Sequence, residues 1–193
     1  MPFSHIGTYF YHVEQNITIQ IVGLLLKGDS YPRSLAKDLD VSHPTVLRKL
    51  KGLLDENVVD FRVEGKNTVY FLKKSIEARV YGYMAEWYSL GKTIESAPHL
   101  RSIIRAVQEE KDVPLAILFG SYAKGTYGPS SDIDVYLETT DREVKRDLER
   151  RHSRLSVKIG TWDPENLLIR EIVQNHVILK GVERYYEKTR FFE

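Results

Sequence analysis

The chain has 193 residues, 42% of them hydrophobic and 28% charged, and carries a net charge of +1. That length suits one large domain or two small ones, and either can bury a core. Near-neutral charge excludes a generally basic nucleic-acid coat, and the absence of cysteine excludes a disulfide framework, a thiol nucleophile and a cysteine zinc site.

The opening "MPFSHIGTYFYHVEQ" lacks the basic flank and apolar core of a signal peptide. "NITIQIVGLLLK" (16–27) has helical spacing and ends at "GDS", a stop signal. Its apolar run at 21–26 is too short to span a bilayer, so a cytoplasmic protein without membrane contact is expected. "YPRSLAKDLD" (31–40) reads as a second short helix with Leu35, Ala36 and Leu39 on one face. "VSHPTVLRKLKGLLDENVV" (41–59) reads as a third, with Ser42 as N-cap, Pro44 in the first turn and an apolar stripe of Val46, Leu47, Leu50, Leu53 and Leu54. "VVDFRVE" and "TVYFLKK", joined by "GKN", alternate as the strands of a hairpin do.

Three short helices followed by a hairpin is the order of a winged helix. Residues 34–73 resemble the winged helix-turn-helix of bacterial and archaeal regulators, from the tight turn at Asp40–Val41 through the "TVLRKL" helix to the wing. The resemblance implies duplex DNA as a partner, with the third helix in the major groove and the wing on the backbone. His43, Thr45, Arg48 and Lys49 on that helix, and Lys66 at the wing tip, are the phosphate and base-edge donors expected to touch it. A few cations on a helix also suit an ordinary solvated face, and the same fold can serve as a protein-docking module.

Residues 75–111 read as mostly helical and rich in aromatics. Tyr81, Tyr83, Met84, Trp87 and Tyr88 suit either a homodimer helix or packing between the two halves of the chain. Ser96 and Pro98 read as the start of a further helix. Then "PLAILFG" (114–120), "DIDVYLE" (132–138) and "RLSVKIG" (154–160) read as strands, with the charged helix "DREVKRDLERRH" between the last two. The remainder, from "DPENLL" onward, reads as helical segments. The expected class is therefore α+β: a winged helix-turn-helix over 1–74, a connecting helix over 75–96, and a small α/β domain with a mixed sheet over 97–193.

The stretch "LAILFGSYAKGTYGPSSDIDVYLE" (115–138) carries the chemistry. A strand ending in Gly120-Ser121 and entering a helix offers free backbone N–H groups to an anion, above all a phosphate. Asp132 and Asp134, two apart on a strand, point the same way. Paired carboxylates repel unless a cation sits between them, and Mg²⁺ commonly joins carboxylates to substrate phosphates. "GSYAKGTYGPSSDIDV" resembles the signature of the DNA polymerase β-like nucleotidyltransferases, most of all their minimal form, over roughly 97–180.

That resemblance implies transfer of a nucleoside monophosphate from an NTP. It places Gly120, Ser121, Gly125 and Ser131 around the nucleotide and two Mg²⁺ ions on Asp132 and Asp134. It also implies a helical, toxin-like protein as a candidate partner and acceptor. The family usually adds a third carboxylate from a later strand; here that place falls on Ser156 or Lys158, depending on alignment. Asp163, just beyond, is the candidate replacement, though "DPEN" suits a helix cap better. Three readings stay open: an enzyme with a substitute base, a slow enzyme, or a nucleotide-binding regulator. The six histidines show no metal-ligand spacing.

Overall fold

The computed structural model describes residues 16–193; the aromatic stretch "TYFYH" and the signal-peptide question at the N-terminus lie outside the described residues. The chain divides into two compact units: one runs as far as Tyr88 and includes Phe192–Glu193, the other is Ser89–Phe191.

In the first unit, helix α1 (Ile17–Leu25) is capped by Asn16, whose side chain accepts from the Ile19 N–H. Helix α2 (Pro32–Asp38) starts on proline, which needs no N–H there. Helix α3 (His43–Asp55) is capped by Ser42, which accepts from Thr45 N–H at 3.3 Å. Asp40 and Asn57 take positive φ, 52° and 61°, to turn the chain between these elements. Val46, Leu50 and Leu53 on α3 are buried with Ile19, Ile21, Val22, Leu25 and Leu35. Burying those side chains is worth about 1.5–3 kcal/mol each before chain entropy is counted. Strands β1 (Val59–Glu64) and β2 (Asn67–Leu72) pair antiparallel from Val59↔Leu72 to Glu64↔Asn67. The winged helix-turn-helix order is thus complete. The long helix α4 (Ile76–Ser96) follows, with Ser75 Oγ accepting from Ala78 N–H.

In the second unit, a 3₁₀ turn at Pro98–Leu100 leads into helix α5 (Arg101–Glu109). Ser96 does not cap it: that residue ends α4, and its hydroxyl donates to Thr93 O. Strand β3 (Ala116–Phe119), helix α6 (Gly120–Lys124), strand β4 (Ile133–Glu138), helix α7 (Arg142–Arg151) and strand β5 (Leu155–Gly160) follow in the expected order. Helix α8 (Leu167–Gln174) is capped by Asn166 rather than Asp163. The closing segment is not all helical, because Val177–Lys180 forms strand β6 before helix α9 (Val182–Thr189). The sheet order is β5-β4-β3-β6, with β3 antiparallel to β4 and β6, and β4 parallel to β5. It is the expected mixed sheet.

Alternation along the strands divides the unit into layers. Ala116, Leu118, Ile133, Val135, Leu137, Leu155 and Val157 form one core with Leu100, Ile103, Ile104 and Val107. Ile117, Tyr136 and Ile178 lie on the other face and are also buried, as are Ile169, Ile172 and Tyr185. One outer amide of edge strand β5 is covered: Val157 N–H donates to Glu149 Oε1 of α7 at 2.9 Å.

Candidate functional site

The end of β3 and the start of β4, the two inner strands, meet at one end of the sheet. Gly120 follows Phe119 with φ +67°, a conformation that suits glycine, and turns the chain from strand into α6. A Cβ there would stand 2.8 Å from Asp134 Oδ2 and 3.5 Å from its Cγ. The glycine therefore serves two needs at once, the turn and the close approach of a carboxylate. Ser121 is the second residue of α6, and Gly125 closes that helix in the left-handed region, with Thr126 N–H donating to Ser121 O at 2.9 Å. Ser131 Oγ accepts from Gly128 N–H at 2.9 Å and so holds the loop between α6 and β4.

Asp134 is the second residue of β4 and pairs in register with Phe119. Asp132 precedes the strand by one residue and is exposed, whereas Asp134 is half-buried. Asp134 belongs to the face that also carries Tyr136, as the period of a strand requires.

The parallel register resolves the alignment of β5. Asp134 stands opposite Ser156, and Tyr136 opposite Lys158. Ser156 therefore occupies the place beside Asp134 where a third acid is expected, and Lys158 lies two pairs further along. Asp163 follows the far end of β5, and its Oδ1 accepts from Glu165 N–H at 3.0 Å in a local turn. Among the described residues no three of His, Cys, Asp and Glu gather as a metal cage. Two carboxylates still suit Mg²⁺, which is held by one or two carboxylates together with substrate phosphates and water. The donor set thus fits a metal that arrives with a nucleotide better than one bound by protein alone.

Two supports of this loop were not anticipated. Tyr127 stacks on Tyr122 with ring centroids 4.2 Å apart and planes 5° from parallel. Its hydroxyl donates to Ser96 O, and His99 Nε2 lies 3.0 Å from Tyr122 Oη. Arg154, level with Asp132 one step before the β4–β5 ladder, donates from Nη1 to Pro129 O at 2.7 Å. Aromatic spacing in "SYAKGTY" hints at the first; only the strand register exposes the second.

Beyond the site, the far end of β4 is anchored electrostatically. Burial pushes the Glu138 carboxyl up, but hydrogen bonds from Arg184 and Lys188 of α9 outweigh that and hold it below the ordinary range. Burial first, and the Glu138 charge second, push the Tyr136 phenol to about 12.

On the winged helix, Arg48 and Lys49 share a flank of α3 with Thr45, and Arg48 and Lys49 line a shallow pocket with Thr18, Gly52 and Glu56. Thr45 Oγ1 is 2.8 Å from Ser42 Oγ and so belongs partly to the cap. His43, the first helical residue, falls on a different flank, that of Leu47. Lys66 is exposed at the hairpin turn beside Gly65, whose φ is +62°. Arg62, on the first strand of the wing, is engaged by two carboxylates: Nη1 with Asp29 at 2.5 Å and Nε with Glu64 at 2.8 Å.

Comparison with known proteins bears on the second unit. Residues 100–186 match the model of the nucleotidyltransferase domain family, so the second unit carries such a domain. No curated protein matches the chain. Among solved structures, the adhesin competence repressor AdcR of Streptococcus pyogenes is 18% identical over 46% of this chain and 66% of its own, with a TM-score of 0.40. A toxin-antitoxin structure with AMP-PNP is 21% identical over 49% of this chain and 79% of its own, with a TM-score of 0.35. No helix among the described residues is long and apolar enough to cross a membrane.

Proposed function

We propose that the second unit binds an NTP with Mg²⁺ and transfers its nucleoside monophosphate to a hydroxyl or amine acceptor, while the winged helix binds duplex DNA. The observation that carries the first part is the contact of Gly120 with Asp134 at the end of β3, because it joins an anion-binding turn to a carboxylate pair. Asp132 and Asp134 would hold the metal, which when bound supplies charge neutralisation on the phosphates and a more acidic acceptor. The N–H groups at the start of α6, with Ser121, orient the triphosphate. Ser131, Arg154 and the stacked Tyr122–Tyr127 pair hold the loop in place, so little ordering is left for the moment of binding.

The transfer forms a bond from the acceptor oxygen or nitrogen to the α-phosphorus and breaks the bridge to the β-phosphate, releasing pyrophosphate. The acceptor's proton must also leave. Ser156 beside Asp134 is a poor base at neutral pH, so the chain supplies metal binding more fully than proton removal. This favours slow turnover, or an acceptor that brings its own base; a helical partner protein is the candidate acceptor carried by the family resemblance. The same observation favours a second reading, in which the domain senses nucleotide without turnover and regulates the DNA-binding half.

Pyrophosphate release from each NTP with Mg²⁺ separates the two readings. Calorimetry of MgNTP binding to Asp132→Asn and Asp134→Asn tests what they share: both variants should lose binding while melting as the native protein does. Unchanged affinity in both would refute the site.

A further inference from the structure

The ladder that joins β3, β4 and β5 sets one row of residues across the sheet. Phe119 pairs with Asp134, and Asp134 with Ser156. Paired positions share a face, and neighbouring strands lie about 4.8 Å apart. Gly120, where the anion-binding turn starts, follows directly on Phe119. Asp134 therefore has that turn on one side and Ser156 on the other. Ser156 is half-buried, and among the described residues its hydroxyl has no hydrogen-bond partner. Ser131, by contrast, already engages the Gly128 N–H.

We propose that Ser156 is itself an acceptor, so that the chain nucleotidylates its own hydroxyl. The inference rests on the nucleotide reading above. With the β- and γ-phosphates on the turn at Gly120–Ser121, an α-phosphate level with Asp134 has its bridge to the β-phosphate directed at β3. Ser156 then stands on the opposite side. That is the in-line arrangement of entering and leaving oxygens in phosphoryl transfer. Ser156 Oγ forms a bond to the α-phosphorus, the bridging oxygen leaves with the electron pair as part of pyrophosphate, and the hydroxyl proton passes to water. The product is a phosphodiester between Ser156 and the nucleoside.

Two features offset the missing base. A hydroxyl fixed on a strand beside its target needs no encounter, and well-oriented placement of that kind reaches effective molarities of about 10⁵–10⁸ M. Lys158, two residues further along β5, belongs to the same face and is exposed, so it brings positive charge to the attacked side. The product also fills the site that made it. Each chain therefore reacts once and then stops.

The test uses the full chain. Incubation with Mg²⁺ and each NTP, labelled at the α-phosphate, should leave one nucleoside monophosphate per chain and release pyrophosphate in equal amount. Cleavage after Arg154 and Lys158 frees the peptide Leu155–Lys158, in which Ser156 is the one hydroxyl, and the label should be found there as an acid-stable ester. Ser156→Ala should lose the label and Ser156→Thr should keep it, with both variants melting as the native chain does. Calorimetry with the α,β-methylene analogue, which binds without transfer, gives a second readout. Ser156→Ala should bind it within about twofold of the native chain, and labelled chain should not bind it. A chain that binds the analogue yet stays unlabelled with every NTP overturns this inference alone. Label carried elsewhere, or retained in Ser156→Ala, does the same. A chain that does not bind the analogue overturns the nucleotide reading as well.

Discussion

Replacing Gly120 with alanine tests the link between the turn and the carboxylate. The φ of +67° would cost an alanine about 1–2 kcal/mol, the usual penalty for a side chain in the left-handed region. The new Cβ would also stand 2.8 Å from Asp134 Oδ2, well inside van der Waals contact. The obstacle is the tip of a short side chain, so it can rotate away for about 0.5–1.5 kcal/mol of rotamer strain. The sum is about 2–3 kcal/mol, and at roughly 4–8 °C per kcal/mol a unit of this size should melt at least ~8 °C lower. Gly125→Ala is the matched control: its φ is +69°, yet nothing lies within 4 Å of its added Cβ. It should lose only the backbone share, about 1–2 kcal/mol. Binding separates the pair more sharply than melting does. Two carboxylates hold Mn²⁺ only weakly without nucleotide, and such sites tolerate little displacement of a ligand oxygen, so Gly120→Ala should weaken that Mn²⁺ binding further, at least about tenfold. Gly125→Ala should leave it within about twofold. Omitting nucleotide matters, because a methyl group could also block a phosphate directly. Equal Mn²⁺ affinity in the two variants would refute the claim that Gly120 places Asp134 for metal binding.

Ser156→Asp should restore the missing acid beside Asp134 and raise pyrophosphate release by about 10²–10⁴-fold, whereas Lys158→Asp, two register pairs away, should not. A native protein that is already fast, and that Asp163→Ala silences, would refute this placement. Arg48→Ala should weaken binding to duplex DNA and reduce the salt dependence of log K by about one unit, while Arg62→Ala, whose charge Asp29 and Glu64 already hold, should change it little in mobility-shift titrations. The Glu138 carboxyl titrates lower in the folded chain than in the unfolded one, so its contribution to stability is present above the ordinary value of 4.5 and is lost as pH falls through the lowered one. Glu138→Gln should therefore flatten the acid limb of a stability–pH curve below about pH 4.5, and an unchanged limb would count against the Arg184–Lys188 anchor.

What the sequence revealed was local, and what it concealed depended on register. Ser42 beside an apolar stripe announced α3, and "GKN" between alternating runs announced the wing, because caps and turns are chosen by neighbours in the chain. The strand that carries Asp134 was equally readable from the alternation of "DIDVYLE", although it begins at Ile133, after Asp132. Strand β6 was not readable. "NHVILKGVERYY" keeps an apolar rhythm compatible with helix, and only pairing with β3 makes Val177–Lys180 extended. The choice between Ser156 and Lys158 hung on how β5 slides along β4 after a helical crossover, a fact that neither strand encodes alone. Asp163 and Asn166 are both good caps three residues apart, and the chain spends Asp163 on the preceding turn and Asn166 on the helix. Met84 and Trp87 on α4 were legible as members of an aromatic and apolar cluster, but not as side chains turned outward.

The carboxylate of Glu149 over the Val157 amide has a bearing on how the protein behaves when crowded. β5 borders the sheet, and a border strand offers its free backbone groups as a template on which another chain can extend the sheet. Glu149 occupies one such group, so an intruding strand would have to displace a charge-assisted bond worth about 1.5–3 kcal/mol and then lie against a negative charge. A helix that serves the fold by covering the core thereby also acts as a guard against runaway strand addition, at the flank of the sheet that carries Ser156 and Lys158.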